Sequence, residues 1–272
     1  MIASLGVSRS LNQEPVLISY LVHVACQGIT LESLERILNR MPLTDTQLSE
    51  LAAAIEESEN QQALTRAFVG ERCMGVDILQ GIGAGRIPFE VLSNSGDDVP
   101  PRMNLPERLY KAVGLLELDE MSYLDVMERY VKVTQLLPPE CIAASRAVND
   151  EVKQVYRWHM LCRMLLPALD NVVIKAGRCA AKIRDAQTVI AVERYRLANG
   201  ALPKQLSDLV PTFLPAVPID PFDGKSLRYK TLSNGYMVYS VGDDSEDNGG
   251  VEKNSKGVSW VPGTDITFTI ER

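Results

Sequence analysis

Asp243, Asp244, Glu246, Asp247 and Asn248 place several hard oxygens within six residues, and Gly249-Gly250 follow them. Oxygen-rich, turn-prone segments of this kind suit Ca²⁺, which takes carboxylate and carbonyl oxygens in flexible geometry. The segment is not an EF-hand. With Asp243 at position 1, Asn248 stands where a glycine is required and Asn254 where a bidentate glutamate is required, and strand patterns flank it. Composition alone favours a solvated acidic loop over an ion site.

Other reactive residue types are scattered. His159 precedes Cys162 by three residues on a predicted helix, a spacing that puts both on one face as a nucleophile pair or half a metal site, but Trp158, Leu161 and Leu165 give the same stretch an ordinary core reading. Glu71 completes the set on which a hydrolase would have to draw, with a site between the helices and a C-terminal sheet. His23 sits in an apolar helix with no partner evident in sequence. Gly81-Ile-Gly-Ala-Gly85 lacks the closing GK[ST] of a P-loop and follows a helical pattern, so it reads as a helix-ending loop. Asp220 and Asp223 bracket Pro221-Phe222 as turn-formers. No catalytic constellation emerges, and the chain is expected not to be an enzyme.

The elements that must position these residues follow from apolar spacing. Leu17, Leu21 and Val24, then Leu34, Ile37 and Leu38, predict a helical pair broken at Gly28–Thr30. Thr44 with Gln47 is a capping-box signature for the next helix, and Asn60–Gln80 continues as another. Gly81–Asn104, rich in Gly, Pro and Ser, reads as a loop. Helical patterns return over Leu105–Leu118, Met121–Leu137 and, after Pro138-Pro139, Glu140–Ala168. A long helix then carries Ile183, Ala186, Ile190 and Leu197 on one stripe and stops at Asn199-Gly200. Ser226–Lys230 and Tyr236–Val241 flank the hairpin residues Ser233-Asn234-Gly235, and Asp265–Glu271 alternates Ile266, Phe268 and Ile270 with polar residues. The fold class is α+β: a mostly α-helical region over 1–166, then a module over 167–272 in which a long helix packs on a small antiparallel β-sheet.

A net charge of -7 and a pI near 5.1 exclude the basic footprint of a nucleic-acid binder. Cys26, Cys73, Cys141, Cys162 and Cys179 form no CxxC pair and no disulfide framework. The longest apolar run, Val16–Cys26, is too short to span a bilayer, and Met1–Ser10 lacks the pattern of a secretory signal.

Four stretches in order carry a resemblance. Ala191–Pro203 (AVERYRLANGALP), Leu206–Gly224 (LSDLVPTFLPAVPIDPFDG), Leu227–Lys230 (LRYK) and Gly235–Asp244 (GYMVYSVGDD) are similar to the globular domain of the major (G-type) pseudopilin of type II secretion. The chain also resembles large bacterial envelope proteins that carry such a module behind a long helical region. The resemblance implies an envelope-associated assembly or binding role with protein partners, and a structural Ca²⁺ in the loop after the Tyr-Ser strand. Asp244 and the Val241 carbonyl match the family's ligands; Asp243, Asp247, Glu252, Asn254 and the region of Asp265 are further candidates. The leader, the Phe-rich helix and the assembly glutamate of a pseudopilin have no counterpart here. The expectation is therefore a chain that acts outside a pseudopilus, or one cut from a longer protein.

Overall fold

Thr44 starts a helix because its hydroxyl accepts the Gln47 N–H at 3.3 Å while the Gln47 side chain receives the Thr44 N–H at 3.0 Å, which satisfies two donors that a helix start leaves open. That helix, α3 (Asp45–Glu56), belongs to a computed structural model that describes residues 1–88, 107–155, 160–166, 169–251 and 264–271. Before it come α1 (Ile2–Ser10) and α2 (Leu17–Arg40); after it come α4 (Gln61–Gly83), α5 (Glu107–Ala112), α6 (Leu115–Thr134), α7 (Glu140–Val155), α8 (Met160–Leu165) and α9 (Leu169–Asn199). Residues 89–104 of the predicted loop, and His159, lie outside the described residues.

The predicted helical pair is one helix. α2 runs through Gly28, whose place in a helix costs about 1 kcal/mol relative to alanine, because burial of Leu31, Leu34 and Leu38 beyond it and of Leu17 and Tyr20 before it outweighs that cost. As a result α2 meets the length and apolar content of a bilayer-crossing helix. In this fold it packs instead on α1, α4, α9 and the sheet, turning buried His23, Gln27 and Thr30 inward.

The sheet is antiparallel in the order β1 (Arg228–Leu232), β2 (Gly235–Ser240), β3 (Ile266–Glu271). Ile266, Phe268 and Ile270 alternate inward as predicted and meet Tyr236 and Val238 against α9. Gly235 is obligatory at the hairpin, since a Cβ there would stand 1.8 Å from the Ile270 carbonyl oxygen. On α9, Ile183, Ala186 and Ile190 are buried, but Leu197 is 43% exposed because the helix leaves the packed region after Glu193.

β3 does not end the sheet with an open edge. Asn39 donates to the Thr269 carbonyl at 2.8 Å and accepts the Glu271 N–H at 2.7 Å, while Glu35 accepts the Thr269 N–H at 2.8 Å. One turn apart on α2, these side chains take the place of a neighbouring strand. Both main hydrophobic clusters likewise draw on each side of the predicted 166/167 boundary: one joins Phe68 and Met127 to Phe222 and Val241, the other Leu34 and Leu48 to Ile190 and Phe268.

Candidate functional site

Asp220 is wholly buried and organises the end of the sheet. Its Oδ1 accepts the Phe222 N–H at 2.9 Å and the Ser240 hydroxyl at 2.8 Å; its Oδ2 accepts the Val241 N–H and an Arg228 N–H, each at 2.9 Å. The turn predicted at Asp220–Asp223 is present, and the Asp220 side chain also ties it to the end of the Tyr-Ser strand about 20 residues later.

The acidic loop leads off from there. The Asp243 carboxylate pairs with Arg178 of α9 at 2.8 Å, and its carbonyl accepts from Arg146 of α7. Asp247 accepts the Tyr239 hydroxyl at 3.1 Å and the Gly249 N–H at 2.9 Å. Asp265, its carboxyl raised by burial, accepts the Gly250 N–H at 2.7 Å. Val241 is buried, with its N–H on Asp220. Asp244 is exposed and accepts the Glu246 N–H at 3.1 Å. Asp243 Oδ1 is buried and has no hydrogen-bond partner among the described residues, and the Asp244 and Glu246 side chains are exposed. Calcium requires roughly six to eight oxygens, and among the described residues no three acidic, histidine or cysteine side chains converge as for a metal. Glu252 and Asn254, which belong to the expected ligand set, lie outside the described residues.

Of the hydrolase candidates the described residues include Glu71 and Cys162, whose charges both act on the Tyr123 hydroxyl. Cys162 is fully buried at the start of α8, where Asp119 accepts its N–H at 3.3 Å and that of Leu161 at 3.2 Å. Burial, with Asp119 adding, pushes the thiol up to about 12, the reverse of an activated nucleophile. Glu71, on α4, has its carboxyl raised by burial and accepts the Leu17 N–H. Asp185 on α9, which the sequence places with the charged residues off the apolar stripe, is instead buried: it is 1% exposed, and neither oxygen has a partner among the described residues. Burial raises it well above the usual range; Asp220 and Glu35 add to this and Lys182 opposes it.

Elsewhere α2, the α3–α4 connection, the start of α7 and the middle of α9 line a cleft open to solvent, to which neither Glu71 nor Cys162 contributes. Leu64, Ile142, Val173 and Ile183 supply apolar wall. At the rim Arg184 pairs with Glu59 at 2.8 Å and donates to the Ile219 carbonyl at 2.7 Å, so its charge is already met. The Cys179 thiol donates to Gln27 at 2.9 Å, and Gln27 donates to the Ser58 carbonyl at 2.9 Å. Burial pushes Cys141 up to about 11 and Cys179 up to about 12, so both remain thiols.

His23 has a partner after all. Its Nδ1 lies 2.8 Å from the Ser8 carbonyl oxygen, which can only accept, so this nitrogen carries the proton; the Ser8 hydroxyl is 2.7 Å away. Nε2 is therefore an acceptor, and burial lowers the His23 pKa and keeps the ring neutral. Tyr20, its ring centroid 6.0 Å from that of His23, is raised by burial and keeps its hydroxyl proton. Neither the Tyr20 hydroxyl nor His23 Nε2 has a hydrogen-bond partner among the described residues, and both side chains line the cleft. The cleft thus combines an apolar wall with two polar side chains, and its described cysteines are protonated thiols. No family model, no curated protein and no solved structure matches the chain.

Proposed function

We propose that this is a non-enzymatic assembly or binding protein of the bacterial cell envelope, in which a helical region carries a pseudopilin-like module. The observation that carries the proposal is the Asp220 hub: the Asp-Pro-Phe-Asp-Gly turn, the start of β1 at Arg228 and the Tyr-Ser-Val end of β2, distinct stretches of the resemblance, meet on one buried carboxylate beside α9. Calcium enters from the resemblance alone, and no part of the proposal depends on it. Strand β1, with Lys230 and Thr231 exposed, is the side of the sheet opposite the edge covered by α2, and strand addition there is one route to a protein partner.

The test is fractionation of cells making the full chain with a photo-crosslinking residue at Thr231. The expected result is a defined protein adduct in the envelope fraction. A chain found only in the cytosol without an adduct would overturn the reading. So would hydrolase activity of the purified protein that disappears in Glu71→Gln or Cys162→Ala.

A further inference from the structure

We infer that the cleft between α2, α7 and α9 binds a small neutral molecule bearing one hydroxyl on a hydrocarbon body. The inference is independent of the envelope reading. It rests on two side chains that line the same cleft, 9% exposed for Tyr20 and 3% for His23 as whole residues, whose hydroxyl and Nε2 have no hydrogen-bond partner among the described residues. A ligand that bonds to these groups adds directional bonds to the burial of its apolar body in the cleft.

The chemistry of the pair selects the ligand. His23 Nε2 only accepts, because Nδ1 holds the proton against the Ser8 carbonyl. The Tyr20 hydroxyl donates. A hydroxyl suits either group, giving its proton to Nε2 or accepting from Tyr20 through its oxygen. A carboxylate has no proton for Nε2 and finds no spare cation, since Arg184 is held by Glu59 and the Ile219 carbonyl. A ligand ammonium finds no spare anion for the same reason. The aliphatic wall takes the hydrocarbon.

The experiment is calorimetric titration of the full chain with cyclohexylmethanol and with its shape match cyclohexanecarboxylate. The alcohol is expected to bind at roughly millimolar strength for its size, and the carboxylate at least tenfold more weakly. Tyr20→Phe, which keeps the ring, should weaken the alcohol about three- to tenfold, the share of one hydrogen bond. Ala180→Leu, which fills the cleft from α9, should abolish binding. Thermal melts verify that both variants are folded. No binding of the alcohol, equal binding of the carboxylate, or an affinity unchanged in folded Tyr20→Phe or folded Ala180→Leu would each overturn the inference.

Discussion

Replacing Asp185 by asparagine should stabilise the protein, by an amount that grows with pH. In the folded chain this carboxyl is 1% exposed, without a hydrogen-bond partner among the described residues, and faced by the carboxylates of Asp220 and Glu35 with Lys182 as the opposing charge. Its folded pKa is raised, so the native state holds a proton that the unfolded chain has released above the ordinary value of 3.8. Stability contributed by that proton is complete below the ordinary value and is lost as pH rises towards the raised one. The slope for one such group is about 1.4 kcal/mol per pH unit. Asparagine has almost the same shape and cannot titrate, so the advantage of Asp185→Asn should widen as pH rises above the ordinary value, here compared at pH 4.5 and 5.5, by at most about 1.4 kcal/mol per unit. Urea unfolding of both proteins at those pH values measures it; other titrating groups, His23 among them, are common to both and cancel in the difference. A difference independent of pH would refute the argument, because it would mean that Asp185 is ionised and paired in the native protein.

Asp220→Ala should cost about 2–3 kcal/mol in urea unfolding, since it strands the Phe222, Ser240 and Val241 donors while Arg228 keeps its bonds to Asp223; a loss below about 1 kcal/mol would mean that the hub is redundant. His23 works in the opposite sense to Asp185: its lowered pKa means the native state resists a proton that the unfolded chain binds, so this part of the stability is complete above about 6.5 and lost as pH falls. The acid limb between pH 6.5 and 5 should accordingly be shallower in His23→Gln. Thermal melts in millimolar Ca²⁺, Mg²⁺ and EDTA should coincide, because the loop carboxylates already have protein donors; a calcium-specific rise would assign the remaining oxygens to residues beyond the described loop.

What was legible in the sequence was local or periodic. Thr44 and Gln47 are three residues apart and announce their helix; Ile266, Phe268 and Ile270 announce a half-buried strand; Asp220 announces a turn. Gly28 misled, because a single helix breaker was weighed without the tertiary burial on either side of it. The cleft was illegible for a different reason. Ser8 reaches His23 across 15 positions and Cys179 reaches Gln27 across 152, so the groups that define it share no sequence window. Asp185 was hidden likewise: a charged residue in an amphipathic helix reads as solvent-facing, and only the sheet laid against α9 shows that this one is not.

The bonds from Glu35 and Asn39 to β3 span 230 to 234 residues. Strand β3 therefore finds its lateral partner in a helix that leaves the ribosome long before it, and the two distant segments are fastened together like a clasp. A fragment starting at residue 167 would lose that partner and present a bare row of backbone donors and acceptors, the template on which two such fragments zip edge to edge. Helix α2 thus occupies the backbone groups of β3 on which a second strand would otherwise pair.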